Sequence, residues 1–251
     1  MTPLEMLAVF AAGVGAGGIN AVVGSGSLIT FPTLLAVGLP PIPANVSNNI
    51  GLVPGSWTSA YGYRAELKGQ LPRLLRLGAG SVAGALLGGG LLLTLPPEAF
   101  EFIVPALIAL GCVLVVVQPK MNAWLLARRR NHHAHGGPWL WTGVFACGVY
   151  GGYFGAAQGV LLLAILGIFL DDDLQRLNGA KNVLSGLVNT TAAVLFIAVA
   201  KPDWTAVLLV ALGSTVGGYL GARLGRKIPP LLFRVIIVCV GVIAIISLLT
   251  D

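Results

Sequence analysis

The sequence predicts an all-α polytopic integral membrane protein made of two related halves. Three observations predict it. Hydrophobic residues make up 56% of the 251 residues and charged residues only 10%, against about 25% charged in an ordinary soluble domain. The few charges fall in clusters that separate long apolar runs, and the mean hydropathy is +0.89. The chain also matches itself at a fixed offset. So few charges cannot cover a water-facing surface. A soluble enzyme, a nucleic-acid binder and a disordered protein are therefore excluded as readings of the whole chain. The net charge of +6 points to cytoplasmic loops rich in Lys and Arg, with no nucleic acid implied.

The apolar runs are 4–37, 44–63, 77–95, 99–118, 138–170, 183–200, 204–222 and 231–250. A membrane-spanning helix needs about 20 such residues. Six runs are single spans. Runs 4–37 and 138–170 are too long for one straight helix. Each is interrupted by small or polar residues, Gly24-Ser25-Gly26-Ser27 in one and Gly155-Ala156-Ala157-Gln158-Gly159 in the other. Each therefore reads as a helix, a break at 24–27 or 155–159, and a second, shorter helix. The start MTPLEMLAVF has no Lys or Arg, unlike the positive region of a secretory signal, so run 4–37 is expected to belong to the mature membrane domain. Residues 119–137, PKMNAWLLARRRNHHAHGG, form a basic linker, expected in the cytoplasm. It divides a first transmembrane repeat, 1–118, from a second, 138–251.

The repeat appears at an offset of 133 with no gap. Gly15 meets Gly148, Gly26 meets Gly159, Asn45 meets Asn178 and Asn49 meets Asn182. Gly80-Ser81 meets Gly213-Ser214, and Pro96-Pro97 meets Pro229-Pro230. Transporters are commonly built by such duplication. The charges do not follow the repeat. Residues 64–76 hold Arg64, Lys68, Arg73 and Arg76, whereas 197–209 hold only Lys201 and Asp203. Residues 90–101 hold only Glu98 and Glu101, whereas 223–234 hold Arg223, Arg226, Lys227 and Arg234. The basic loop has moved to the other end of the same helix, which by the positive-inside rule predicts halves of opposite orientation. An inverted repeat needs an odd number of crossings per half. This favours five plus five segments, with both termini outside and 64–76, 119–137 and 223–230 in the cytoplasm. The alternative is four plus four, with the short segments re-entrant.

Polar residues inside the apolar runs are the candidate substrate-binding groups. The first break carries Asn20, Ser25, Gly26 and Ser27, and the second carries Gln158 and Gly159. A broken helix in the membrane is tolerated only where it is buried in protein or lines a wet cavity, and its new N-terminus attracts anions. A second constellation, Asn45, Asn48 and Asn49, aligns with Asn178, Lys181 and Asn182. Spacing of four places Asn45 with Asn49, Asn178 with Asn182, and Lys181, Ser185 and Asn189 on shared helix faces. Such groups are costly in lipid and should point into the bundle. Lys181 is read as the counter-charge for an anion, or else as a lysine snorkelling to the interface beside Asp171, Asp172, Asp173 and Arg176.

No carboxylate lies deep in a run, which argues against a buried proton relay. His132, His133 and His135 read as a solvated loop, and Cys112, Cys147 and Cys239 as small packing residues. No catalytic set, metal site, cofactor or nucleotide motif is visible, so the chain is not read as an enzyme.

The run AGGINAVVGSGSLITFPTLLAVGLPPIPANVSNNIGLVPG resembles the first signature of the sulfite exporter family TauE/SafE. The run GGYFGAAQGVLLLAILGIFLDDDLQRLNGAKNVLSGLVNTTAAVLF resembles the second. The resemblance covers about residues 8 to 248. It implies a bacterial inner-membrane transporter, built by duplication, for sulfite, sulfoacetate, thiosulfate or related anions. The first glycine motif maps onto Gly24, Ser25, Gly26 and Ser27, with Ser27 where a glycine is usual. The second maps onto 155–159; a glycine often found at Ala157 is absent, so that break is expected to be milder. The N-x-x-K-N motif maps onto Asn178, Lys181 and Asn182. The expected activity is alternating access around a central anion site. Export of an anion gains about 2.3 kcal/mol per charge per 100 mV from an inside-negative potential. The alternatives are an anion channel or a non-transporting membrane assembly module. The partners implied are a small anion and the bilayer, and a homo-oligomer is compatible.

Overall fold

The structure, a computed structural model, describes residues 1–127, 137–224 and 230–250. His132, His133, His135, Arg226 and Lys227 lie outside them. The described residues form ten helices, α1 (Pro3–Val22), α2 (Ser27–Ala36), α3 (Pro41–Gly62), α4 (Leu71–Thr94), α5 (Pro97–Ala127), α6 (Gly137–Tyr153), α7 (Gln158–Phe169), α8 (Leu174–Val199), α9 (Trp204–Leu224) and α10 (Pro230–Thr250). Five helices are long and apolar enough to cross a membrane. The protein is a multi-pass membrane protein. At an offset of 133 each of the first five helices falls on one of the second five.

Local chemistry sets the helix starts where hydropathy alone does not. At α1 the Thr2 hydroxyl accepts from the Glu5 N–H at 3.3 Å, while the Glu5 carboxylate accepts from the Thr2 N–H at 2.7 Å, a capping box. At α8 the Asp173 carboxylate accepts from the Gln175 N–H at 2.8 Å, so the helix begins well before the apolar run at 183. At the other boundary α5 continues through Pro119 to Ala127, which makes the start of the linker helical. The short helices α2 and α7 have 10 and 12 residues. At 1.5 Å per residue they reach about 15 and 18 Å, roughly half the hydrocarbon thickness.

The halves interlock crosswise. Helix α1 packs on α9, and its counterpart α6 packs on α4. Both contacts are backbone on backbone. A Cβ built on Gly217 would lie 1.9 Å from the Val14 carbonyl oxygen, and one on Gly88 would lie 2.0 Å from that of Val149. Helices in lipid gain little from hydrophobic association and rely on such close approach. Helices α3 and α8 lie antiparallel between these pairs. Ser47 near the start of α3 accepts from the Asp203 N–H beyond the end of α8 at 2.8 Å, and Asn189 donates to Ser56 at 3.2 Å.

At the end of the bundle where α3 finishes and α8 begins, Asp172 accepts from Arg73 and from Arg176, each at 2.8 Å. Arg176 also donates to the Lys68 carbonyl at 3.3 Å. Burial pushes the Asp172 carboxyl up. The bonds from Arg73 and the Asp173 N–H, together with the Arg176 charge, outweigh it and hold the group below its usual value. A carboxylate depressed in the folded state adds stability above its unfolded pKa, and that contribution is lost as pH falls through the folded value.

Two outcomes follow for thermal unfolding in detergent. Gly217→Leu forces a side chain into the Val14 backbone and should abolish a monodisperse fold, while Gly15→Ala, whose Cβ would meet nothing within 4 Å, should leave it unchanged. Asp172→Asn should cost about 1 kcal/mol at pH 7, with the gap from wild type narrowing only below about pH 4. A gap that persists at low pH would show that the charge is not what stabilises.

Candidate functional site

The breaks occupy residues 23–26 and 154–157. Gly24 has φ +90° and Gly155 φ +78°; each closes its broken helix, the Gly24 N–H donating to the Ile19 carbonyl at 3.0 Å and the Gly155 N–H to the Tyr150 carbonyl at 3.1 Å. The same left-handed turn is therefore made in both halves. The second break is not milder for lack of a glycine at 157: Ala157, fully buried, adds a further left-handed residue, φ 56°, despite its Cβ. The two turns meet at the centre of the bundle. The Gly159 N–H donates to the Gly24 carbonyl at 3.0 Å, and a Cβ on Gly24 would lie 2.5 Å from the Gly159 Cα. Only glycine at both places allows that approach.

Breaking a helix frees carbonyls that lipid cannot satisfy. Side chains from elsewhere in the chain take them up. Lys181 Nζ on α8 donates to the Asn20 carbonyl at 3.0 Å and the Ala21 carbonyl at 3.3 Å, and Asn182 donates to Ala21 at 3.3 Å. Helix α1 has no basic residue in its own last turn. Lys181 thus supplies the cation its negative end favours. On the other side Asn45 of α3 donates to the Tyr153 carbonyl, at the end of α6, at 3.0 Å. Each half caps the broken helix of the other. Gln118 of α5 donates to Val23 at 3.2 Å, and Tyr150 donates to Ala156 at 2.5 Å. Buried Cys147 also donates to the Gln158 carbonyl at 3.6 Å.

A polar cavity of about 20 Å³ lies where the breaks meet α3 and α8. Asn20, Gly24 and Ser27 wall it from the first break, and Gly155, Gln158 and Gly159 from the second. Ser56 and Ser59 come from α3, and Asn182, Ser185 and Asn189 from α8. Every wall residue is glycine or carries a neutral hydroxyl or amide. The volume suits about one water. A polyatomic anion is several times larger, so the cavity is closed to one in this structure. Several donors have no partner within the protein. Gln158 Nε2 is buried and unpaired. The Asn20 Oδ1 accepts from the Gly26 N–H at 2.7 Å, which leaves its NH₂ for the cavity. Neither α2 nor α7 has a side-chain cap at its N-terminus.

Of the residues singled out from sequence, Asn20, Ser27, Gln158, Gly159, Asn182 and Asn189 line this cavity. The others sit around it. Lys181 is fully buried behind Asn20, and Asn45 caps α6. Asn48 accepts from Thr30. Ser25 Oγ, Asn49 Oδ1 and Asn178 Oδ1 are buried without partners, and Gly26 is bonded to Asn20. Ser56 and Ser59 were not among the candidates. They continue the Asn45–Asn49 face at seven and ten residues beyond Asn49, and following that stripe further along the helix finds them.

A family model for the sulfite exporter TauE/SafE matches residues 9–248. The chain belongs to the sulfite exporter TauE/SafE family. It is 27% identical over 96% of its length, and 91% of the relative's, to a Sinorhizobium protein named "Probable membrane transporter protein ORF9". It is 25% identical over its whole length, and 92% of the relative's, to the Escherichia coli K12 "Probable membrane transporter protein YfcA". A Haemophilus influenzae "Probable membrane transporter protein" is 25% identical over 88% of this chain and 86% of its own. No solved structure matches. This TauE/SafE chain is accordingly a membrane transporter.

The left-handed alanine gives a direct test of the turn. Ala157→Gly removes a steric cost of about 1–2 kcal/mol and adds unfolded-chain entropy worth about 0.4–1 kcal/mol. The variant should melt at the same temperature or slightly higher in detergent, whereas Ala157→Val should melt clearly lower. A clear fall for Ala157→Gly would mean the turn is not strained.

Proposed function

We propose that this transporter moves small sulfur-containing or organic anions, of the sulfite, thiosulfate or sulfoacetate kind, outward across the bacterial cytoplasmic membrane. The observation that carries the reading is the wall of the central cavity, built from neutral donors with a buried lysine one residue behind it. Gln158, Asn20, Asn182, Ser27 and Ser185 would turn N–H or O–H groups onto the anion. The uncapped N-termini of α2 and α7 add their partial positive charge. Lys181 touches the cavity through Asn20, whose carbonyl holds the ammonium and whose side chain lines the wall. Its charge acts as a fixed positive field and needs no direct contact with the anion.

Alternating access of two inverted halves is the proposed cycle. The moved basic loop, the antiparallel α3 and α8, and the closed state of the cavity support it. A closed centre also favours a carrier over an open channel. Outward movement of an anion is driven by an inside-negative potential, so the absence of carboxylates from the cavity wall leaves no gap in the mechanism.

The test is flux into proteoliposomes, with sulfite, thiosulfate, sulfoacetate, sulfate and chloride compared. Saturable flux of a sulfur oxyanion is expected. Gln158→Leu and Lys181→Met should each cut it about tenfold or more, because a hydrogen bond to a charged group contributes about 1.5–3 kcal/mol. Lys181→Arg, which keeps charge and donors, should retain part of it. Chloride conductance that never saturates would make the protein a channel, and no flux of any anion at either polarity would remove the anion reading.

A further inference from the structure

The two broken helices end alike but are held differently. Helix α1 lies on α9 as α6 lies on α4. A Cβ on Gly217 would meet the Val14 carbonyl oxygen at 1.9 Å, and one on Gly84 would meet that of Phe145 at 2.3 Å. Gly217 and Gly84 are 133 residues apart, while Phe145 and Val14 are 131 apart. The helix ends keep that second spacing. The Ile19 carbonyl accepts from Val23 and Gly24 at 2.7 and 3.0 Å, and the Tyr150 carbonyl from Phe154 and Gly155 at 2.9 and 3.1 Å. Asn20 and Ala21 therefore correspond to Gly151 and Gly152. Helices α3 and α8 correspond at 133, where Asn189 donates to Ser56 and Trp57 to Thr190. Asn48 and Asn49 thus stand for Lys181 and Asn182.

In the first half a cation holds the helix end. Lys181 Nζ reaches both the Asn20 and the Ala21 carbonyls, and Asn182 reaches Ala21. In the second half the matching carbonyls, those of Gly151 and Gly152, accept no hydrogen bond among the described residues. Both glycines are buried, and α6 has no basic residue in its last turn. Asn48, in the place of Lys181, is far shorter than lysine, and its Oδ1 accepts from Thr30. Asn49 lies one turn along α3 from Asn45 on the same face, and Asn45 already bonds the end of α6 at the Tyr153 carbonyl, at 3.0 Å. Asn49 is only 8% exposed, and its Oδ1 has no partner. Oxygen acceptors thus gather at the negative end of a broken helix, which favours a cation. Buried polar groups are seldom left unsatisfied.

We infer that a monovalent alkali cation, sodium foremost, binds at the end of α6, held by the Gly151 and Gly152 carbonyls and the Asn49 side-chain oxygen. It takes the place that the Lys181 ammonium takes at the end of α1. Freed backbone carbonyls at the C-terminal ends of broken helices are the ligands that membrane transporters offer such ions. The charge follows from the repeat, because the ammonium it replaces carries one positive charge. A divalent ion would want carboxylates, and the residues named here include none. Each half then carries one cation at the end of its broken helix, built into the chain in one case and bound in the other. The inference does not rest on the identity of the transported anion.

Thermal unfolding of the full chain in detergent tests it, with sodium, lithium, potassium or choline as the cation and chloride and ionic strength held fixed. Sodium should raise the melting temperature above that in choline by about 3 °C or more, and saturably, as a ligand of the folded state alone does. Asn49→Leu removes the side-chain oxygen and should move the sodium midpoint up about tenfold or more. Asn48→Lys brings an ammonium to the second half. It should melt in choline as the wild type does in sodium, and should no longer respond to sodium. Should Asn48→Lys not fold, the midpoint of Asn49→Leu still decides. A wild type that melts alike in choline and in every alkali chloride overturns the inference, and so does a sodium response that survives both substitutions unchanged. A response lost in the variants, with no flux of any sulfur oxyanion in the wild type, would keep the cation site and remove only the anion reading.

Discussion

The contact between Gly24 and Gly159 is the constraint on which the rest of the structure depends. Two helices break at the centre of a membrane protein, and the breaks touch through backbone alone, with the Gly159 N–H on the Gly24 carbonyl at 3.0 Å. Nothing in lipid can hydrate the carbonyls this frees. The chain must supply donors, and it does so across the repeat. Asn45 serves the end of α6, while Lys181 and Asn182 serve the end of α1. Antiparallel α3 and α8 between the interlocked pairs are the arrangement that brings these donors to the opposite half. A polar cavity at the same point follows, because the side chains that cap broken helices are the ones that can also face a polar ligand.

Much of this fold was legible in the sequence. Low charge, apolar runs and clustered bases give a multi-pass bundle. Gly, Ser and Gln inside two over-long runs give the breaks to within a few residues. The offset of 133 gives the pairing of elements. What was not legible has physical causes. Helix starts depend on caps such as Asp173, whose bond to Gln175 moves the start of α8 outside the apolar run. The turn at Ala157 escapes a rule that equates left-handed backbone with glycine, because packing over-determines a conformation that alanine resists.

The candidate site was legible as a set and not as a geometry. Residue types mark the buried polar stripe, but whether a given amide faces ligand or backbone is decided by neighbours distant in sequence. Asn45 and Asn49 share a face, yet Asn45 is committed to Tyr153, 108 residues away, and Asn49 is left unpaired. Lys181 shows the same limit. Its position in the N-x-x-K-N run suggests a direct counter-charge, and its two carbonyl acceptors show it bonded to the wall. Both roles need a cation at that point, so sequence cannot separate them. Ser56 and Ser59 read as ordinary small residues of a helix interface until the cavity is seen to lie against them.

The way the halves are joined restricts how they could move in the proposed cycle. At Gly217 and Gly88 a neighbouring carbonyl occupies the space a side chain would need. Interfaces packed backbone to backbone resist sliding, because any shift drives atoms into one another. Helix α1 must therefore travel with α9, and α6 with α4, although each pair joins elements of different repeats. The joint between α3 and α8 is of another kind. It is made by side chains, Ser56 with Asn189 and Trp57 with Thr190, which exchange partners by rotamer changes without large backbone cost. Rocking would then occur at α3 and α8, beside the cavity. The rigid units would be the crosswise pairs and not the sequence repeats. Duplication supplies two similar halves, and the glycine contacts tie each half to the other so that neither can move alone.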